Sequence, residues 1–292
     1  EHGCSVILTC RSWNKCNDAV SEIQTSNPQA SVKGMILDLG DPESVRSLSK
    51  RVLEDIPKLD YLLCNAGIIL PKEKKTNSNG WEITMAVNHL GHFALVGDLL
   101  PLLKSSKTRI VSHSSLAAHG IIKHPLNLDD WMWEKRPYQG LYAYAASKKA
   151  NLLFVHEVNR RLGKFNITAN ACQPGISSTN IFEDFKVAAA HQNQITHRLG
   201  KMAMNALYGM LLRSQESAAR PLVTAAISSD VNAYFGPIFL LHGPAGNIGN
   251  VLNPELLEKL DKFFWVGKFS RSTEEEAAKL WEMSVRATGV LG

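Results

Sequence analysis

The sequence predicts an α/β fold, a doubly wound parallel sheet in three layers, over a single domain spanning 1–292. Three observations predict it. Short apolar runs of strand length alternate with longer helical patterns, the signature of parallel strands joined by crossover helices. Residues suited to chemistry fall just after the strand-like runs, where open parallel sheets bind their ligands. Internal repeats and low-complexity tracts are absent.

The elements follow in order. Residues 5–9 read as a buried strand, and a helix carrying Ala19, Val20 and Ile23 runs up to Asn27 and Pro28. A second strand covers 32–37 and closes at Asp38. Asp41, Pro42 and Glu43 open a helix through Val45, Leu48 and Val52, with proline where a first helical turn tolerates it. A strand over 59–64 runs into Asn65, Ala66 and Gly67, and one long helical stretch is predicted over 81–103. A strand at 109–113 ends at Ser114 and Ser115, and a second long helix covers 142–162. A strand at 167–172 stops at Pro174 and Gly175. The stretch 177–212, rich in Ala, Met and Phe, reads as a helical insertion over the site. A helix at 218–227, an extended segment at 234–241 and a helical tail from Pro254 with Trp265 and Trp281 complete the chain.

Composition narrows the class. A hydrophobic fraction of 45% and a charged fraction of 20% are ordinary for a globular protein. The net charge of +5 is spread along the chain, without the basic stripe or patch a nucleic-acid surface needs. The 5 cysteines are odd in number and lack a C-x-x-C pair, which suits a reducing compartment and a cytoplasmic location. Cys4, Cys10 and Cys16 read as small apolar fillers. Asn166 opens a glycosylation sequon, but its apolar, strand-like neighbours argue against a surface loop. Apolar runs stay short of the ~18 residues a membrane span needs, and no membrane association is visible.

Tyr144 and Lys148 stand four apart on a helix and therefore share a face. A tyrosine is a weak acid at neutral pH unless its pKa is shifted. A cation about 5 Å away, at an effective dielectric near 20, is worth roughly 3 kcal/mol and would lower the phenol substantially. The pair is thus a sensible acid/base unit, although the spacing alone also fits a surface helix pair. Asn88 lies inside a helical pattern, where a buried Asn bends the helix or hydrogen-bonds something. Gly91 weakens the same helix unless close packing requires it. His89 and His92 share a helix face, and packing accounts for them better than metal binding does. Phe182, Phe185, Met202, Met204 and Met210 suit either an apolar pocket or the core.

The ordered set Asn65-Ala66-Gly67, Asn88-His89-Leu90-Gly91, Ser114-Ser115, Tyr144-Ala145-Ala146-Ser147-Lys148 and Pro174-Gly175 resembles the short-chain dehydrogenase/reductase family, whose sheet is Rossmann-like. The resemblance runs from Ser5 to about Trp281. Cys10-Arg11-Ser12, the stretch from Val87 to Phe93, the stretch from Ala143 to Asn151, and Leu280-Trp281-Glu282-Met283-Ser284 bring it closest to the retinol-dehydrogenase-like branch.

The resemblance implies roles. Tyr144 exchanges a proton with a substrate oxygen as hydride moves. Lys148 lowers the Tyr144 pKa and holds the nicotinamide ribose. Ser115 orients the carbonyl, and Asn88 positions a water linking Lys148 to solvent. Asn65, Ala66 and Gly67 line the adenosine ribose, and Asp38 accepts from the adenine amino group. Pro174, Gly175 and Ile176 pass beside the carboxamide, with Thr179 in reach. Arg11 at the tip of the first strand, where no carboxylate stands, favours NADP(H) over NAD(H), because an Arg fork suits a 2′-phosphate. The implied activity is interconversion of a carbonyl and an alcohol on a small, apolar, lipid-, retinoid- or steroid-like substrate. A homodimer through the two long helices is implied as well.

One departure stands out. The family opens with a strand and a Gly-rich turn whose helix N-terminus holds the pyrophosphate. No such turn precedes Ser5, and Gly243-Pro244-Ala245-Gly246-Asn247-Ile248-Gly249 comes too late in the chain to serve. The reading is therefore an N-terminally truncated member whose sheet lacks its first strand. Two rivals follow. A non-catalytic nucleotide-binding or interaction protein would need no Asn88, Ser115, Tyr144 and Lys148 set. A nucleotide-sugar epimerase or dehydratase shares the Tyr/Lys spacing but not Asn-Ala-Gly after a strand.

Overall fold

The computed structural model describes residues 3–69, 73–118, 126–174, 215–236 and 271–292. The strands are β1 (Val6–Cys10), β2 (Val32–Ile36), β3 (Tyr61–Cys64), β4 (Arg109–His113), β5 (Thr168–Cys172) and β6 (Tyr234–Phe235). The helices are α1 (Trp13–Ser26), α2 (Pro42–Asp55), α3 (Ile83–Asp98), α4 (Leu100–Ser106), α5 (Gly140–Leu162), α6 (Gln215–Ile227) and α7 (Arg271–Thr288). Strands and helices alternate as the apolar periodicity requires, and every strand pair is parallel.

The sheet comes in two pieces. β1 pairs with β2, from Val6 opposite Val32 to Cys10 opposite Ile36. The other piece runs β3-β4-β5-β6. Among the described residues no strand joins β1 to β3, so each has an edge without ladder partners. Val6 is 50% exposed there, and Tyr61 and Leu63 are 41% and 43% exposed. Central parallel strands normally bury such side chains on both faces.

Local chemistry sets the helix ends. The Asp41 carboxylate accepts from the Glu43 amide at 3.0 Å and caps α2, with Pro42 in the first turn. The buried Glu82 carboxylate accepts from the amides of Thr84 and Met85 at 2.9 and 2.8 Å and starts α3. The single long helix expected over 81–103 is broken. Residues Ala86–Leu90 form a π-helical turn, and α3 and α4 meet at 68° around Leu99, with Pro101 in the first turn of α4. Proline cannot continue the preceding helix without losing a hydrogen bond.

α3 and α5 cover one face of the sheet with Phe93, Val96, Phe154 and Val158, which pack onto Ile110 and Ala169. Gly91 has the close neighbour its helix position called for. A Cβ there would overlap the Leu39 carbonyl oxygen. Cys16 is buried against Gly34, so α1 sits tightly on β2, whereas Cys4 is exposed rather than a buried filler. Asn166 is exposed in a turn with φ of 60°, contrary to the expectation that its sequon lies away from a surface loop. The strand begins only at Thr168, which leaves Asn166 free to close the turn. No single described helix is long and apolar enough to cross a membrane. The insertion at 177–212, Trp265, the 243–249 string and the end of the 234–241 segment lie outside the described residues.

Replacing Gly91 with Ala forces α3 away from Leu39. Overpacking of this kind costs about 1–3 kcal/mol. The denaturant midpoint of the Gly91→Ala variant falls accordingly, and an unchanged midpoint would contradict the close approach.

Candidate active site

The carboxyl ends of β3 and β4, the π turn of α3 and the first half of α5 converge on one point. Parallel strands end in unpaired backbone groups there, and side chains from the crossover helices meet them. Asn88 is held by three hydrogen bonds. Its Oδ1 accepts from the Ile68 amide at 2.7 Å, and its Nδ2 donates to the Ile68 carbonyl and to Ser147 Oγ, both at 2.9 Å. Both Nδ2 hydrogens are thus committed, and only Oδ1 can take a further donor. The π turn supplies the local widening that aims Asn88 inward, a feature that recurs at functional sites.

Lys148 is 2% exposed. Its Nζ donates to the His113 carbonyl at 3.0 Å, and its own carbonyl accepts from Ser114 Oγ at 2.8 Å. Asn151 Nδ2 donates to the same His113 carbonyl at 3.0 Å. Gly67 lies just above. A Cβ built on it would stand 3.1 Å from Lys148 Nζ and 3.2 Å from Asn88 Oδ1. Gly67 therefore leaves open the space directly against the ammonium.

Tyr144 sits one turn before Lys148 and is 6% exposed. Its hydroxyl is hydrogen-bonded to Ser115. Ser147 Oγ donates to the Tyr144 carbonyl at 2.7 Å. Burial pushes the Tyr144 phenol up, and the hydrogen bond with Ser115 opposes this. That corrects the expectation that Lys148 lowers Tyr144. The Nζ stands 5.7 Å from the ring centroid, and desolvation of the phenolate is the dominant influence on Tyr144. Burial brings Lys148 itself down to about 8.

The histidines nearby are neutral. Burial takes His89 and His113 down to about 3 and His92 to about 4, and the Lys148 charge adds to the shift of His92 and His113. His92 Nδ1 pairs with the Asn88 carbonyl at 3.2 Å. No cluster of His, Cys, Asp and Glu able to hold a metal occurs among the described residues.

Of the residues singled out from sequence, Asn88, Ser115, Tyr144, Lys148 and Gly67 come together here. Asn65 and Ala66 are exposed on the same loop, and the Asn65 carbonyl meets His113 Nδ1 at 3.3 Å. Pro174 is half-buried at the end of β5. Arg11 and Asp38 sit on the β1–β2 piece. Arg11 is exposed, and Asp38 Oδ1 accepts from the Gly40 amide at 2.8 Å. Gly175, Ile176 and Thr179 lie outside the described residues. Sequence reasoning named Ser114, Ser147 and Asn151 within motifs but gave them no role at the site. The spacing signal was present for Asn151, three residues beyond Lys148 and therefore on the same helix face.

The depressed Lys148 gives a pH-dependent test. Its folded pKa is about 8 against an ordinary 10.5. Below about 8 the buried ammonium burdens the fold. Between these values the unfolded chain holds a proton that the native chain does not, so wild-type stability rises with pH. A Lys148→Met variant is therefore more stable than wild type at pH 7, by about 1–3 kcal/mol. The gap closes as pH climbs from about 8 to 10.5. Urea titrations at pH 7, 9 and 10.5 measure it, and a variant less stable at pH 7 contradicts the burial argument.

Comparison with known proteins bears on this arrangement. A family model described as enoyl-(acyl carrier protein) reductase matches residues 1–224. Retinol dehydrogenase 13 of Homo sapiens is 32% identical over 238 residues, covering 81% of this chain and 69% of the relative. Retinol dehydrogenase 14 of Homo sapiens is 32% identical over 304 residues, covering 99% and 80%. A crystal structure of an uncharacterised protein from Mycobacterium paratuberculosis superposes with a TM-score of 0.63 at 28% identity, over 98% of this chain and 84% of that one. With the family model matched over most of its length and relatives at this identity across nearly all of it, the chain belongs to the short-chain dehydrogenase/reductase family of oxidoreductases.

Proposed function

We propose that this protein interconverts a carbonyl and an alcohol on a small apolar substrate with NADP(H), through Tyr144, Lys148, Ser115 and Asn88. One observation carries the reading. A phenol and an ammonium, both buried, lie one helical turn apart beside a serine hydroxyl at the carboxyl end of a parallel sheet. A binding module has no use for such a set.

The residues fit a nicotinamide dinucleotide. Lys148 carries three N–H donors, and His113 O is the acceptor its Nζ faces. Gly67 keeps the adjoining space clear of a side chain. Sugar hydroxyls there would take the spare donors. The bound cofactor supplies or accepts the hydride. Tyr144, kept protonated by its raised pKa, donates a proton to the substrate oxygen in the reducing direction. Ser115 hydrogen-bonds the same oxygen and fixes it next to the phenol. Asn88, already pinned to Ile68 and Ser147, offers Oδ1 to a water between Lys148 and solvent. Asn65, Ala66 and Asp38 serve the adenosine end, and Pro174, Gly175, Ile176 and Thr179 the carboxamide. Arg11, exposed at the tip of β1, faces no carboxylate on its own turn and suits a 2′-phosphate. The relatives' names support an apolar alcohol or aldehyde of retinoid type.

Reduction of all-trans-retinaldehyde and of a short aliphatic aldehyde by NADPH, followed at 340 nm, tests the reading. Tyr144→Phe lowers kcat by about 10²- to 10⁴-fold, the usual contribution of a positioned proton donor. Wild-type turnover in that variant overturns the proposal. Arg11→Asp raises the KM for NADPH by about 10- to 100-fold, as expected for one lost charge-assisted contact, and leaves that for NADH unchanged or lower. Equal effects on both cofactors overturn the NADP(H) preference and leave the chemistry standing.

A further inference from the structure

The carbonyl of His113, the last residue of β4, takes two donors at once. Lys148 Nζ and Asn151 Nδ2 both stand 3.0 Å from it. A carbonyl oxygen offers two acceptor positions, so the pair saturates it. Alone, the ammonium on its flexible stem could use either position, and the two would aim its remaining N–H groups differently. With Asn151 on one, Lys148 keeps the other, and the space left open against its Nζ is the one at Gly67.

Asn151 is itself held. The buried His89 ring bonds its side chain, and that bond favours the protonated ring against the pull of burial. The imidazole is therefore the donor and Asn151 Oδ1 the acceptor. This fixes which way the amide faces. Turned over, it would set Oδ1 against the His113 carbonyl, one acceptor against another. On its far side, His89 Nε2 meets Ser284 Oγ of α7 at 3.0 Å.

The surroundings of this line of polar groups are apolar. α7 lies over a stripe that α3 and α5 present together, with Trp281 packed on Phe93 at 4.9 Å between ring centroids and stacked on Phe154 at 6.1 Å. The same two phenylalanines flank the His89 ring at 6.0 and 6.1 Å. Burying a histidine and an amide there costs free energy unless each finds a partner. Apolar side chains at 89 and 151 would serve packing alone. The line from Ser284 through His89 and Asn151 ends instead on the carbonyl that Lys148 uses.

We propose that Asn151, aligned by His89, is a positioning residue for Lys148: it occupies one acceptor position on the His113 carbonyl and so holds the ammonium on the other, facing the space at Gly67. For its effect on cofactor binding this rests on the function proposed above, whereas the placing of Lys148 stands on the geometry alone.

Two measurements on the full chain test it. The first needs no cofactor. In a perdeuterated chain with protonated lysine and glycine, the NOE between the Lys148 ε-methylene and Gly67 Hα is recorded at pH 6, where a Lys148 pKa of about 8 keeps the ammonium charged. The Lys148 signal is the one missing from Lys148→Met. Asn151→Leu keeps the volume and removes the donor, and it weakens this NOE relative to those within Lys148. An unchanged NOE overturns the proposal. The second measurement is NADPH affinity by calorimetry. Asn151→Leu raises the Kd by about 3- to 10-fold, the worth of one misdirected hydrogen bond. In a Lys148→Met background the same substitution leaves the Kd unchanged, because no ammonium remains to be placed. Equal losses in both backgrounds make Asn151 a structural residue and overturn the proposal. His89→Leu keeps Asn151 but frees its amide to turn, and it shifts NOE and Kd in the same directions, which also covers failure of Asn151→Leu to fold. A wild-type NOE and Kd in His89→Leu overturn the alignment by His89. If the wild-type chain does not bind NADPH, the cofactor reading falls, and the NOE alone decides the placing of Lys148.

Discussion

A lysine ammonium buried at the carboxyl edge of a parallel sheet dictates much of what surrounds it. Removing Lys148 from water depresses its basicity and demands an acceptor, and the chain supplies the His113 carbonyl at the end of β4. That carbonyl is free because the ladder has run out. Asn151 binds it too, so α5 is fixed in register against β4 by two side chains three residues apart. Ser114, the next residue along, bonds back to the Lys148 carbonyl. Strand end and helix therefore grip each other from both sides. Tyr144, one turn away, inherits its position from that grip.

The second constraint is the broken α3. A regular helix would carry Asn88 past the site. The π turn inserts the extra residue that lets Asn88 reach Ile68 on the loop after β3 and Ser147 on α5 at once. Gly91 then brings the helix down onto the Leu39 carbonyl, and Pro101 redirects the chain into α4. Three residues that each weaken a helix act together to bend one around the site.

Further out, the two sheet pieces and α7 divide the labour differently. The β3–β6 piece holds the cluster of Lys148, Tyr144, Ser115 and Asn88 at its carboxyl end, and β1–β2 carries Arg11 and Asp38. The edges of β1 and β3 expose apolar side chains, while α7 removes the apolar stripe of α3 and α5 from solvent. Stability behind the site thus rests on aromatic packing around Trp281 as well as on the sheet itself.

Strand positions, the helix caps at Asp41 and the meeting of Tyr144 with Lys148 were legible in the sequence, because period, capping chemistry and spacing are local. Ser115 and Gly67 were legible through motif order. The break in α3 was not, since a π turn leaves the apolar pattern nearly unchanged and depends on what Asn88 finds across space. The direction of the Tyr144 shift was not legible either. Spacing gives the distance to a cation but not the desolvation that opposes it. The amino-acid order by itself determined which elements form and which side chains share a face. Only the tertiary structure decided that Lys148 is buried, that His113 contributes its carbonyl, and that α7 lies on α3 and α5. Those outcomes depend on solvent exclusion and on contacts between residues far apart in the chain.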